Sequence, residues 1–275
     1  VRLLIELAPM DSRSVLSRFS GVKVLVLGDS MVDEYLTGDC SRLSPEAPVP
    51  ILRIEPEKTR RVLGGAANTA ANIASLGGAP LLFAAFDPGD SAGAAFSGLC
   101  AASGIEVFAV RDGRPTPVKT RVVGQRQQLL RLDREDTRDL SAQAESEVLR
   151  AFREALPGTG AVVLSDYAKG FLTATLTPVL VAEARAAGVP VVLDPRPQHG
   201  ARYRGADYVT PNWKESLGLL GWSERPSTIE NVREAGEALR ALLDANVLLT
   251  LGPAGIALFP REGGKPLHMP TAARE

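Results

Sequence analysis

The side chains able to do chemistry in this chain gather at the ends of apolar runs. Leu27-Gly28-Asp29-Ser30 closes one such run, and Asp33 follows shortly after. A carboxylate at the carboxyl end of a strand can accept hydrogen bonds from sugar hydroxyls, and Asp29 or Asp33 would suit. Ser30 could act as a nucleophile only beside a histidine base oriented by an acid. The two histidines, His199 and His268, stand in no Asp-x-x-His arrangement. A tight strand-to-loop turn is therefore the plainer reading of this block.

Gly64-Gly65-Ala66-Ala67-Asn68 opens the small-residue stretch TAANIASLG. Paired glycines permit close backbone approach to a ligand, a helix N-terminus offers free N–H donors, and Asn68 adds an amide able to grip vicinal hydroxyls. The pattern is not G-x-G-x-x-G, so a dinucleotide fingerprint is poorly supported. Thr210-Pro211-Asn212-Trp213-Lys214-Glu215 opens another helix, which Asn212 can cap. Asn212 and Glu215, one turn apart, could instead hold a hydrated Mg²⁺ beside a polyphosphate. Thr250–Gly255 ends a strand in a turn bearing Gly252 and Gly255, an ordinary hairpin or a close pass by a nucleotide. Ser165–Gly170 and Asp194-Pro195-Arg196 also close strands, and each supplies an acid and a base within reach of a phosphorylated substrate. Lys119, Arg121, Arg126 and Arg131 alternate with apolar residues, giving one cationic strand face of the kind usually turned to solvent.

These groups need a scaffold of strands ending together. Continuous apolar runs at Val22–Leu27, Leu81–Phe86, Ala161–Leu164, Val189–Leu193 and Val247–Leu251 read as buried parallel strands. Helical patterns lie between them at Ala66–Leu76, Ala92–Ser103, Ala142–Leu156, Thr175–Ala187 and Ile229–Leu243. Alternation of this kind predicts an α/β fold with a mainly parallel sheet. Tyr35–Glu55, with Pro45, Pro48 and Pro50, and Val118–Asp133, turning near Gly124, fit a small accessory β-sheet better than the main one. Such a sheet is marginal alone and exposes edges, so it predicts pairing with the same element of a second subunit. No linker or repeat divides the chain, which reads as one domain over residues 1–275.

Composition narrows the function. The chain has 275 residues, 45% of them apolar and 23% charged, enough to bury a core without staples. Lys and Arg number 31 against 32 Asp and Glu, a net charge of −1 that argues against nucleic acid as a partner. Cys40 and Cys100 form no C-x-x-C pair, and no His/Cys cluster suits zinc. No run is long and apolar enough for a membrane span, and VRLLIELAP is too short and acidic for a signal peptide. A soluble, cytoplasmic protein is expected.

Taken in order, the motifs resemble those of the ribokinase (pfkB) family of sugar kinases, and more closely the heptose 7-phosphate kinases within it. LGDSMVDEY, SRLSPEAPVPI, GGAANTAANIASLG, QQLLRLD, LSDYAKG, LDPR, RYRGADYVTPNWKE and PLHMPT carry the likeness over nearly the whole chain. SRLSPEAPVP and SDYAKG are the heptose-specific blocks. LGDS alone also resembles the first block of GDS-type serine hydrolases, without their histidine. The kinase resemblance implies a Rossmann-type α/β/α three-layer sandwich with a β-sheet lid that also makes a dimer contact. It implies ATP, Mg²⁺ and D-glycero-D-manno-heptose 7-phosphate, phosphorylated on its anomeric oxygen. By motif match, Asp33, Gly64, Gly65 and Asn68 would bind the sugar. Asn212, Trp213, Lys214 and Glu215, with Gly252 and Gly255, would face the nucleotide, and Asn212 and Glu215 its metal through water. Lys169 and Arg196 are candidates for the 7-phosphate.

In the family, PLHMPT is followed by an Asp-x-x-Gly-Ala-Gly-Asp segment bearing the base and the anion hole, and no G-A-G-D occurs among these residues. The chain as written, ending at Glu275, is therefore expected to be C-terminally incomplete and inactive. Two other expectations stay open: a non-catalytic sugar-phosphate-binding or dimerising remnant, and a pfkB kinase for another sugar.

Overall fold

The computed structural model describes residues 5–6 and 12–271. The N-terminal VRLLIELAP, apart from Ile5 and Glu6, and residues 272–275 lie outside the described residues, as do the signal-peptide and chain-end expectations that rest on them.

Strands run β1 (Ile5–Glu6), β2 (Lys23–Gly28), β3 (Ser30–Leu43), β4 (Pro50–Ile54), β5 (Arg60–Gly65), β6 (Ala79–Ala85), β7 (Glu106–Val110) and β8 (Val118–Gly124). They continue as β9 (Gln127–Arg134), β10 (Ala161–Ser165), β11 (Val191–Asp194), β12 (Tyr208–Val209), β13 (Asn246–Thr250), β14 (Ile256–Phe259) and β15 (Leu267–Met269). The helices are α1 (Ser12–Ser17), α2 (Ala66–Ser75), α3 (Ser91–Ala102), α4 (Ala142–Ala155), α5 (Leu176–Ala186), α6 (Trp213–Leu220) and α7 (Ile229–Leu243).

Among the described residues ten strands form the main sheet, in the order β1-β15-β14-β13-β12-β11-β10-β2-β6-β7. From β13 through β7 every pairing is parallel; β14 and β15 turn back antiparallel. Strand β2 shows why the sheet is central. Leu25 and Leu27 enter one apolar layer while Val24 and Val26 enter the other, so both faces are covered. The first layer carries residues of α4, α5 and α7; the second carries α2 and α3. On the second side the alternate residues of β10, β11, β13 and β14 (Val163, Val192, Leu248, Leu258) remain half-buried.

A smaller sheet, in the order β4-β3-β8-β9 with β5 paired to β3, stands over the carboxyl ends of β2 and β10. It contains both expected lid segments, but β3 already begins at Ser30. Strand β5 was not anticipated: its Arg60-Arg61 start carries no apolar alternation, and its pairing to β3 is non-local. The β8–β9 hairpin turns on Gln125 and Arg126, both at positive φ, immediately after Gly124. Arg126 is thus in the turn and not on the cationic strand face.

Candidate functional site

Chain direction makes the site. Strands β2, β10 and β11 end side by side, with Ser165 paired to Gly28 and to Asp194. The segments leaving those ends meet the lid, and between them lies a cleft of about 530 Å³. Asp33, Tyr35, Gly64, Gly65, Asn68, Lys119, Arg121, Arg131, Tyr167, Lys169 and Arg196 are among its lining residues. All six residues expected to touch the sugar phosphate therefore share one cleft.

Asp33 and Gly64 come from adjacent antiparallel strands, where Met31 pairs with Gly64 and Asp33 with Val62. A Cβ on Gly64 would stand 2.5 Å from Oδ2 of Asp33, so only glycine leaves this carboxylate its place. Gly65 caps α2 at φ +61, and a Cβ there would lie 2.1 Å from the Asp29 carbonyl. That conformation and that closeness both require glycine. Asn68 follows in the first turn of α2 and is exposed to the cleft.

Asp29 has a different task from the hydroxyl binding its position allowed. It is buried, and its carboxylate accepts the backbone N–H groups of Tyr167 (2.8 Å), Lys169 (3.0 Å) and Phe171 (3.0 Å). Burial holds its pKa above the ordinary carboxylate value, against the pull of those three donors. Asp166, also buried, accepts from Ala168 N (2.6 Å) and the Tyr203 hydroxyl (2.7 Å) and bonds His199 Nδ1 at 2.8 Å. These two carboxylates fix the loop after β10, in which Ala168 takes φ +55, and so aim Tyr167 and Lys169 at the cleft. His199 is committed to Asp166 and the Ser30 hydroxyl has no partner among the described residues, so no nucleophilic dyad forms.

The cations are all held by acids. Arg121 Nη1 donates to Asp33 Oδ1 at 2.5 Å, Lys119 bonds Asp133 (2.9 Å) and Glu135 (3.2 Å), and Arg131 bonds Asp133. Lys169 is bonded to Glu135 as well. Arg196 reaches Glu215 at 2.9 Å and lies over the Tyr167 ring, 4.8 Å from its centroid. Alternation in β8 did place Lys119 and Arg121 on one face, but a period of two says nothing about what that face meets.

The second expected group sits at the next strand ends. Asn212 caps α6: its Oδ1 accepts from Glu215 N, and Glu215 Oε2 accepts from Asn212 N, each at 2.9 Å. Trp213 Nε1 donates to the Arg225 carbonyl at 2.8 Å, and Lys214 is exposed. Gly252 opens the β13–β14 turn at φ +58 with space around it. Gly255, at φ +92, is pressed against the Met269 carbonyl, 2.1 Å from where a Cβ would be. Packing within the hairpin therefore already requires glycine there. Asp194 entered the sequence reading as an acid closing a strand beside Arg196, with no role of its own. Burial, and then the nearby Glu215 charge, push its pKa up to about 6, a shift that marks functional sites. Among the described residues no group of three or more His, Cys, Asp or Glu could hold a metal.

A mainly parallel α/β domain with a second sheet lidding a cation-lined cleft at its strand ends is the architecture of a ribokinase-like sugar kinase. Residues 23–275 match the model of the pfkB family carbohydrate kinases, and the chain belongs to that family. It is 41% identical over 254 residues, 92% of this chain and 52% of the relative, to the Bifunctional protein HldE of Azorhizobium caulinodans. The HldE of Geobacter metallireducens is 38% identical over 272 residues, 97% of this chain and 54% of the relative. The chain spans about half the length of the curated relatives it matches. Among solved structures, the tetrameric inhibited form of phosphofructokinase-2 from Escherichia coli is similar with a TM-score of 0.72 at 19% identity, over 93% of this chain and 81% of that one. That likeness is one of fold. No helix among the described residues is long and apolar enough to cross a membrane.

Proposed function

We propose that this chain is the kinase part of an enzyme that transfers the γ-phosphoryl group of ATP to the anomeric oxygen of D-glycero-D-manno-heptose 7-phosphate, on the cytoplasmic route to ADP-heptose. The observation that carries the reading is the composition of one cleft wall: the hydroxyl-binding set Asp33, Gly64 and Asn68 beside five cations whose partner acids, Asp33 apart, are not among the lining residues. A neutral sugar would need the first group alone; a sugar phosphate needs both.

In this reading Asp33 and Asn68 hold the hydroxyls, with the Gly64–Gly65 backbone close beneath them. Lys169 and Arg196 draw the 7-phosphate, joined by the lid cations. Asn212, Trp213, Lys214, Glu215, Gly252 and Gly255 border the nucleotide. The residues present fit a Mg²⁺ ion bound through water. Asn212 and Glu215 carry the oxygens that would hold it through its waters, beyond the capping-box and Arg196 bonds they already make. Bound there, the ion would supply neutralising charge to the polyphosphate. The outward face of the lid is the proposed contact of a homodimer.

The test is a coupled ADP-release assay on the protein as its gene encodes it, with heptose 7-phosphate and Mg-ATP. Turnover with heptose 7-phosphate well above that with fructose 6-phosphate and ribose is the expected result. A preference for either of the latter would assign the chain to a different sugar.

A further inference from the structure

The Asp33–Arg121 pair sits where the substrate must go. Both side chains line the cleft, and both keep about a fifth of their surface exposed, 19% and 23%. One Asp33 oxygen is occupied by Arg121, and the other lies against Gly64. In this state the carboxylate proposed to accept sugar hydroxyls is half engaged by a guanidinium. Lys119 and Arg131, on the same hairpin, are bonded to Asp133 and Glu135 and leave Asp33 alone.

We infer that Arg121 is a phosphate-operated latch on Asp33: a substrate bearing a phosphate draws the guanidinium off the carboxylate and thereby frees Asp33 for the sugar hydroxyls. The inference rests on the reading of Asp33 as the hydroxyl acceptor and deepens it into a source of specificity. A partly exposed ion pair is held weakly enough to exchange partners. A phosphate dianion offers arginine two parallel acceptors and more charge than one carboxylate. Arg131 and Lys119 border the same space and add attraction without competing for Asp33. A sugar without phosphate must part the pair and leaves Arg121 uncompensated. Discrimination then comes from a cost imposed on the wrong ligand as well as from a contact to the right one. Phosphate and hydroxyl recognition become coupled through one residue, and the coupling is reciprocal.

The experiment is calorimetric titration of wild type, Arg121→Gln and Asp33→Asn with heptose 7-phosphate, the unphosphorylated heptose and inorganic phosphate. Arg121→Gln should lose roughly ten- to hundredfold in affinity for the sugar phosphate, the range of hydrogen bonds to charged groups. It should bind the unphosphorylated heptose at least as well as wild type does. Asp33→Asn, which releases Arg121, should bind inorganic phosphate more tightly than wild type. Parallel weakening of both sugars in Arg121→Gln would reduce Arg121 to lid support and overturn the latch. Unchanged or weaker phosphate binding by Asp33→Asn would overturn it too, and that variant decides if Arg121→Gln fails to fold. Tighter phosphate binding by Asp33→Asn with neither heptose bound by wild type would uphold the latch and remove the heptose reading.

Discussion

Gly64 stands so close to Asp33 that a single added methyl group would fall 2.5 Å from the carboxylate oxygen Oδ2 and 2.8 Å from Cγ of Met31. The glycine therefore shapes the cleft wall in a stricter sense than flexibility. It is the space in which Asp33 holds its rotamer.

Gly64→Ala should accordingly damage binding more than folding. The carboxylate is the end of a side chain and can swing away, so the stability loss should stay near 1 kcal/mol, the low end of overpacking costs. Affinity for the sugar phosphate should fall by about tenfold or more, since the displaced carboxylate no longer meets the hydroxyls. Urea denaturation and calorimetry on the same sample measure the two. A variant that melts early yet binds normally would show that Asp33 does not touch the ligand.

Asp29 should behave in the opposite way. Asp29→Ala strands three backbone donors of the Tyr167–Phe171 loop in a buried place. At about 1–3 kcal/mol for each unsatisfied buried group, a loss of at least about 3 kcal/mol is expected in chemical denaturation. Hydrogen exchange at Tyr167, Lys169 and Phe171 should accelerate first. A loss under about 1 kcal/mol would mean that the loop finds other acceptors.

Asp194 gives a pH dependence whose sign is fixed. Its carboxyl is ordinarily at 3.8 and is raised to about 6 in the folded protein. Between those values the unfolded chain releases the proton while the folded chain keeps it, so stability falls as pH rises through that window and is level above it. The shift corresponds to about 3 kcal/mol. Asp194→Asn should remove that slope, matching wild type below pH 4 and exceeding it by up to about 3 kcal/mol at pH 8. Denaturant melts at the two pH values measure it; equal stabilities at pH 8 would show that the charge is already compensated.

The scaffold was largely legible in the sequence because its signals are local. Helix α7 was placed at Ile229–Leu243 in full, from an apolar stripe ending before Asp244. The parallel strands were recognised because Val and Leu on both faces of β2 leave no polar period. The lid was legible through Pro45, Pro48 and Pro50 and the alternation in β8. The site was harder, because its parts meet across long separations. Asp33 and Arg121 are 88 residues apart, and Asp29 is more than 130 residues from the backbone it accepts from. Carboxylates that support loops and carboxylates that face ligands look alike in a sequence. Burial and partners separate Asp29 from Asp33.

The lid makes the last prediction. Register places Leu36, Val122 and Leu130 in one row across β3, β8 and β9, with Leu132 beside Thr120 in the next. Tyr35, Arg121 and Arg131 form the neighbouring row, whose side chains point the other way into the cleft. One face of the sheet thus lines the cleft, and the other carries these leucines beside a buried Thr120 bonded to Glu34: Leu130 is 54% exposed and Leu132 51%. A small sheet with a wet apolar face is marginal by itself. The twofold-related lid of a second copy would be a self-complementary cover. Light scattering at micromolar concentration should give a dimer, and Leu130→Asp with Leu132→Asp should halve the particle mass. Because Arg121 and Arg131 are carried on the same two strands, the monomeric variant should also bind sugar phosphate more weakly. A wild-type monomer, or a dimer that survives both aspartates, would place the subunit contact elsewhere and leave the lid closing only on its own domain.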